Sequence, residues 1–399
     1  MKSKLTLENA TKRKEFLPYG RQWIDEDDIK TVIDVLKGDY LTTGPYVQKF
    51  EQAIAQYTGA KYAVAFSNGT AALHGACFAA GIEAGDEVIT TPLTFAASSN
   101  CVLYQGGTPV FADVDPNTYN IDPVEVASLI TPKTKAIIPV DFTGQPADYE
   151  KLNELAKKHN LVIIEDAAHA LGATYKGMKT GSFSDMTMFS FHPVKHITSG
   201  EGGVITTNSE EYYRKLEMFR SHGITRNPAL LGNNEGPWHY EMQFLGYNYR
   251  MTDIQAALGE SQLKKLDHFI DVRKKYALMY TNSFKELDEI ITPFQHGDGE
   301  SSWHLYTIRL NKNVFRTNRK MVFEALIDEN IGVNVHYIPV YQHPYYKELG
   351  YPDGLCPVAE EIYESIITLP LFPAMSENDV NDVIAAVKKV IIELREKTV

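Results

Sequence analysis

The chain has 399 residues, more than one hydrophobic core ordinarily serves, so two domains are expected. Its 44% hydrophobic and 23% charged residues are those of a water-soluble globular protein. The net charge of −12, with no block of basic residues, speaks against nucleic acid or an anionic membrane as partner. An anionic ligand would therefore have to be held locally, by backbone amides and a few side chains.

The first residues are basic but carry no apolar core, so no secretory signal is read there. Residues 1–20 are expected to form an extended arm. Asp25 is placed to cap a helix over Glu26–Lys37, with Ile29, Val32, Ile33 and Leu36 on one face. Gly38 ends it, Leu41–Pro45 is a turn-rich loop, and Tyr46–Tyr57 is a second amphipathic helix. From Tyr62 onward strands and helices alternate. Strands are expected at Tyr62–Phe66, Glu87–Thr91, Pro109–Val114, Lys135–Val140 and Leu161–Glu165. Helices are expected at Ala71–Ala80, Thr94–Tyr104, Pro123–Ile130 and Tyr149–His159. The uncharged stretch Val88–Ala112 holds prolines, glycines and many hydroxyls, which argues against a membrane helix. Such alternation predicts an α/β fold with a mostly parallel sheet and helices on both faces. Ligands then bind beyond the carboxyl ends of the strands.

A further strand, Met186–Phe191, leads into a loop carrying Lys195 between His192 and His196, and Val204–Thr207 follows. Glu210–Ser221 is read as a helix, and His222–Arg250 as a long irregular segment of the kind that is often functional or interfacial. Thr252 caps a helical region over Asp253–Leu287. Beyond it come strands near Trp303–Leu310 and Val333–Ile338, a helix near Arg319–Glu329 and a last helix, Asn378–Lys397. The expected domains are an arm at 1–20, a large domain at 21–255 and a small α+β domain at 256–399. Cys77, Cys101 and Cys356 are odd in number and far apart, and are read as reduced core thiols of a cytoplasmic protein. Asn68-Gly69-Thr70 matches a glycosylation sequon, set aside for want of a signal peptide.

Four constellations sit at strand ends. Ser67–Thr70, between a strand and a helix, can cradle a phosphate with free amides and the Thr70 hydroxyl, although many such turns bind nothing. Thr94-Phe95 follows a strand and Pro92, and its aromatic is either core or a stacking surface for a flat ring. Asp166 is a carboxylate ending a buried strand, costly unless paired; it either caps a loop or meets a protonated ring nitrogen. Lys195 is either an exposed loop lysine or, in an enclosed pocket, an amine made nucleophilic by a lowered pKa. Ser190 lies close before it and could donate to a phosphate. His169, His192 and His196 have no regular metal-ligand spacing, so no metal site is assigned. No P-loop, dinucleotide, zinc-protease or hydrolase-elbow motif competes.

Taken in order, GPYVQKFE, SNGTAALH, TPLTFAASSN, EDAAHALGA, SFHPVKHITSGEGG, GYNYRMTDIQAALG and HYIPVYQHPYY resemble the pyridoxal-phosphate enzymes of the aspartate-aminotransferase superfamily. More narrowly, the chain is similar to the sugar aminotransferases of the DegT/DnrJ/EryC1/StrS family, from about Tyr19 to its end. The resemblance implies fold type I, with a seven-stranded-type sheet. It makes Lys195 the lysine that carries the cofactor and moves protons, and pairs Asp166 with the pyridinium nitrogen. Phe95 would stack on the ring, Gly69, Thr70 and Ser190 would hold the phosphate, and His169, where many relatives have Gln, would sit near the ring hydroxyl. Asn248, on the loop Gly246–Arg250, would reach the phosphate of a neighbouring subunit, which implies a homodimer with shared sites.

The implied reaction moves an amino group from L-glutamate to C4 of a nucleotide-linked 4-keto-6-deoxy sugar. The Leu41–Pro45 loop and the lysine segment most resemble the branch acting on a UDP-linked N-acetylhexosamine on the route to pseudaminic acid. Perosamine-type enzymes using dTDP- or GDP-linked ketosugars are the alternative. Thr43, His336, Tyr337 and the segment Pro339–Tyr346 are placed at the sugar, and both histidines flanking Lys195 are read as pocket lining. Two rivals stand beside this: a sugar 3-dehydratase, whose relatives replace the lysine by histidine, and a cofactor-free binding protein on the same scaffold.

Overall fold

Seven strands between residues 62 and 207 form one sheet that fixes where the chemistry-bearing residues can meet. They are β1 (Tyr62–Phe66), β2 (Glu87–Thr90), β3 (Thr108–Phe111), β4 (Thr134–Ile138), β5 (Val162–Asp166), β6 (Met186–Ser190) and β7 (Gly203–Thr207). The sheet order is β1-β7-β6-β5-β4-β2-β3. The pairs β3–β2, β2–β4, β4–β5 and β5–β6 are parallel, while β7 is antiparallel to both β6 and β1. Only β7 therefore runs backwards, and the carboxyl ends of the other six share one edge. The computed structural model describes residues 12–396.

The strands are short apolar runs buried on both faces, as a sheet covered by helices on either side requires. The helices are α1 (Glu26–Leu36), α2 (Pro45–Thr58), α3 (Gly69–Ala79), α4 (Ala97–Tyr104), α5 (Pro123–Leu129), α6 (Tyr149–His159) and α7 (Glu210–Phe219). The α1 start is a capping box: Asp25 accepts from the amides of Asp27 and Asp28, and Asp28 accepts from that of Asp25. The expected helix at Thr94 begins three residues later, at Ala97, because Thr94 turns its hydroxyl onto Ser98.

The long helical region expected over Asp253–Leu287 is two helices, α8 (Asp253–Leu263) and α9 (Leu266–Phe284). The break at Lys264 and Lys265 lets Lys265 reach Asp25 and, at 2.9 Å, the buried Asp28. α8 packs on α1 and α2, and α9 carries the chain to a second core. That core lies between α9, α10 (Arg319–Asp328), α13 (Glu377–Glu396) and an antiparallel sheet of β8 (Ile290–Ile291), β9 (Tyr306–Leu310) and β10 (Ile366–Leu369). The helices α11 (Pro344–Glu348) and α12 (Pro357–Ser365) and the strand β10 were not expected from sequence.

Two expectations fail here. Val333–Ile338 is not a strand; it makes one isolated bridge, Asn334 to Thr368, and its side chains are taken by other contacts. The strand expected from Trp303 begins at Tyr306, because Trp303 has φ +53° and the amides of Ser302 and Leu305 bond instead to Gly144 and Thr143. His222–Arg250 is irregular as expected, apart from a two-residue pairing of Ile224–Thr225 with Glu241–Met242 and a 3-10 turn at Pro228–Leu230.

Residues 1–11 of the expected arm, and Lys397 of the last helix, lie outside the described residues. Residues 12–20 run along this second core. Arg13 pairs with Asp379 and Asp382, Leu17 bridges to Ile331, and Tyr19 accepts from the amide of Leu371. All three cysteines are buried and free. Among the described residues no helix is long and apolar enough to cross a membrane.

Candidate active site

A cavity of about 1020 Å³ opens at the shared carboxyl edge of the sheet. β1 delivers Asn68, Gly69 and Thr70 to it; β2 delivers Thr94, Phe95 and Ser98; β5 ends in Asp166; and β6 ends in Ser190, with Lys195 in the loop beyond. The opposite wall comes from the C-terminal part of the chain, through His304 and Asn334–Tyr337, with Tyr19.

At the start of α3, Asn68 is the N-cap. Its side chain accepts from the amide of Ala71 at 2.8 Å and its carbonyl from that of Ala72, which leaves the amides of Gly69 and Thr70 to a ligand. The helix dipole adds positive potential at the same point. Space at Gly69 is tight: a Cβ there would lie 3.3 Å from Met188 Sδ and 3.4 Å from Ser190 Cβ, so these side chains would have to shift by a few tenths of an ångström.

Asp166 and Lys195 face each other electrostatically across this floor. Asp166 is buried, and burial pushes its carboxyl up; the Ser98 hydroxyl, the Ala168 amide and the Lys195 charge pull it back. Ser98 donates to Asp166 Oδ2 at 2.6 Å, and the amide of Ala168 donates to Oδ1 at 3.2 Å. Burial lowers the Lys195 amine to about 8, and Asp166 opposes that shift. Lys195 retains some exposed surface, and it lines the cavity. Its amine is thus enclosed yet open towards a ligand.

The rest of the lining is aromatic and imidazole-rich. Phe95 is 65% exposed although apolar, and lines the cavity with its ring 6.5 Å from that of Tyr337. His169 Nε2 pairs with the Tyr337 hydroxyl at 3.2 Å, and His169 Nδ1 is buried without a partner. His336 Nδ1 pairs with Thr368 Oγ1 at 2.8 Å. Burial, reinforced by the Lys195 charge, holds His169 far below the usual imidazole range and brings His336 to about 3, so both are neutral.

The cavity gathers Gly69, Thr70, Phe95, Asp166, His169, Ser190, Lys195, His336 and Tyr337, all singled out from sequence. Thr43 and Asn248 are not on it in their own chain; both are exposed. Of the histidines beside Lys195, His192 lines the cavity, whereas His196 is buried behind it with Nε2 on the Ser302 carbonyl at 3.1 Å. That corrects the expectation for His196: the turn at Lys195 puts neighbouring side chains on opposite sides. Pro339–Tyr346 also stands behind the wall, where Val340, Tyr341 and Tyr346 are core. Ser98, His304 and Tyr19 were missed, while Thr94 was singled out only together with Phe95. Of the missed residues only Ser98 left a sequence signal, as a hydroxyl one helical turn from Phe95.

Pyridoxal phosphate fits these residues. A space-limited glycine with free helix-terminal amides suits a phosphate, the exposed Phe95 ring suits a flat heterocycle, a buried carboxylate suits a pyridinium, and the orphaned His169 Nδ1 offers a hydrogen-bonding atom.

Comparison with known proteins agrees with this geometry. Residues 22–388 match the model of the DegT/DnrJ/EryC1/StrS aminotransferase family. The chain is 44% identical over 382 residues to the spore coat polysaccharide biosynthesis protein SpsC of Bacillus subtilis, covering 95% of this chain and 98% of that one. Among solved structures, Helicobacter pylori PseC, an aminotransferase involved in the biosynthesis of pseudoaminic acid, superposes with TM-score 0.89 at 35% identity, over 95% of this chain and 100% of that one. The PLP-form of the putative sugar aminotransferase Spr1654 from Streptococcus pneumoniae gives TM-score 0.89 at 33% identity, over 95% and 99%.

Proposed function

The chain belongs to the DegT/DnrJ/EryC1/StrS aminotransferase family and is a pyridoxal-phosphate-dependent sugar aminotransferase, and from that premise we propose that it moves the amino group of L-glutamate to C4 of a nucleotide-linked 4-keto-6-deoxy sugar. The observation that carries the reading is one pair: a lysine amine brought by burial to about 8, beside a buried carboxylate on the cavity floor.

In this reading the amides of Gly69 and Thr70, with the hydroxyls of Thr70 and Ser190, would hold the phosphate. Phe95 would stack on the ring, Asp166 would accept from the ring nitrogen, and His169 would serve the ring hydroxyl. Bound pyridoxal phosphate supplies an electron sink for the carbon that loses its proton. Lys195 Nζ takes that proton and returns it, which its lowered pKa allows near neutrality. The neutral His336 and Tyr337 orient the sugar without adding charge, and the aromatic wall keeps water from the reacting carbon.

Thr43 and Asn248 act in trans. The bridge between Thr42 and Thr252, and the Asp253 carboxylate accepting from the amides of Gly44 and Tyr46 at 2.8 Å, hold the Thr43 loop beside the end of the Gly246–Arg250 loop, whose Tyr249 lines its own cavity while Asn248 does not. A two-fold copy would receive both. Ile29, Ile33 and Leu36 on α1, with Tyr40 and Leu41, expose an apolar strip for such a copy to cover. The buried thiols favour a cytoplasmic site of action.

The substrate read here is a UDP-linked 4-keto-6-deoxy-N-acetylhexosamine on the way to pseudaminic acid, supported by the full-length likeness to PseC. The higher identity to SpsC favours a second reading, a different 4-amino sugar destined for a surface polysaccharide. Glutamate-dependent amination of UDP-, dTDP- and GDP-linked 4-ketosugars, read by mass, separates them. A UDP product with the acetamido group supports the first reading, a dTDP or GDP product the second, and deoxygenation without amino transfer overturns both.

A further inference from the structure

Between Phe95 and the cavity floor runs a short chain of buried hydroxyls that the reaction as described does not use. Ser98 Oγ lies 2.6 Å from Asp166 Oδ2 and 2.8 Å from Thr94 Oγ1. A hydroxyl has one proton to give. The shorter contact, to a charged acceptor, takes it, since charge-assisted bonds of this kind run 2.5–2.7 Å. The Phe95 carbonyl, at 3.3 Å, is the weaker competitor. Ser98 Oγ must then accept from Thr94, so the order is Thr94 O–H to Ser98 O–H to Asp166 Oδ2. Asp166 Oδ1 accepts from the Ala168 amide.

Both carboxylate oxygens therefore receive donors, and neither is arranged to give one. Thr94, Ser98 and Asp166 are all buried, at the floor of the cavity. The bland alternative is a serine bonded to the carbonyl three residues back, a common local arrangement at a helix start. The 2.6 Å contact across the sheet edge, from the β2 side to the end of β5, argues against it.

We propose that Thr94 and Ser98 are positioning residues that hold Asp166 as an oriented carboxylate, so that the proton between Asp166 and the cofactor has to reside on the ring nitrogen. This rests on the reading above in which Asp166 meets that nitrogen. The segment Thr94–Ser98 then serves twice: Phe95 is set against the ring face while Ser98 sets the charge at its edge. Lys195, the other charged group near Asp166, favours the same carboxylate form but from the opposite side of the floor.

The test is binding of two ligands to the cofactor-free full chain: pyridoxal phosphate, and its 1-deaza analogue with C–H in place of the ring nitrogen. The wild-type chain prefers pyridoxal phosphate. Ser98→Ala lowers that preference about tenfold and Thr94→Val about threefold, the worth of one charged and one neutral hydrogen bond. Ser98→Thr restores it, and affinity for the analogue stays within about twofold. Equal weakening of both ligands, or an unchanged preference, overturns the inference. Thermal melting of each cofactor-free variant checks folding, and Thr94→Val carries the same prediction if Ser98→Ala does not fold. Asp166→Ala separates the two levels. If it keeps the preference, the assignment of Asp166 itself fails; if it abolishes the preference while Ser98→Ala does not, only the relay fails.

Discussion

On the sheet side of the cavity, Asn68–Thr70, Thr94–Ser98, Asp166 and Ser190 each end or follow a strand, and the strands run in one direction. Their spacing is set by backbone ladders that no single side chain can shift. On the opposite side, Asn334–Tyr337 carries no ladder: one bridge to Thr368 and the bonds of His336 and Tyr337 hold it. The ladder side offers groups that suit the cofactor, which is common to the family. In the proposed reaction the irregular side would meet the sugar. A fixed edge would then keep the chemistry while an adjustable wall sets the substrate.

The largest break in that contrast comes at the lysine. Lys195→Ala is expected to cost about 10⁴-fold in turnover, at the upper end of general acid–base contributions, and to remove the near-visible band that forms when pyridoxal phosphate is added to the wild-type chain. A variant that keeps both would refute the assignment. Asp166→Ala should lower turnover by about 10²–10³-fold with the fold intact by circular dichroism, as loss of one fixed electrostatic partner does. The amine of Lys195 is protonated below its value of about 8 and neutral above it. Uptake of pyridoxal phosphate by the cofactor-free chain should therefore rise with pH up to about 8 and flatten beyond. A stopped-flow profile that is flat from pH 6 to 8 would contradict the lowered value.

Smaller effects sharpen the comparison. Gly69→Ala crowds Met188 and Ser190, and should weaken cofactor binding about tenfold without altering the sugar KM of the loaded enzyme. Tyr337→Phe, on the adjustable wall, should raise the sugar KM about threefold to tenfold while the half-reaction with glutamate stays nearly unchanged. If Tyr337→Phe instead slows the glutamate half-reaction as much, the division of labour between the two walls is wrong.

Much of this was legible in the chain before folding. The β–α alternation comes from apolar runs and turn residues that act locally, and Tyr62–Phe66 and Tyr149–His159 match to the residue. Lys195, Asp166 and the Ser67–Thr70 turn stood out because each ends or follows a strand, which sequence can locate. The partners of these residues could not be seen. Ser98 is 68 positions from Asp166, Thr368 is 32 from His336, and Tyr337 is 168 from His169. The expected strand at Val333–Ile338 failed for the same reason: its apolar residues satisfy a period of two, but its polar ones found distant partners, His336 at Thr368 and Tyr337 at His169.

What the sequence determined by itself is the order of local pieces and the residue types at their ends, because helix caps, strand runs and glycine turns depend on near neighbours. Tertiary structure alone decided how those ends are charged. The shared edge of six co-directional strands brings a lysine and an aspartate from different crossovers into one enclosed volume. Only there does burial bring the amine to about 8, while Ser98 opposes the same effect on the carboxylate. Both shifts are properties of an environment assembled from distant segments, and no local pattern encodes an environment.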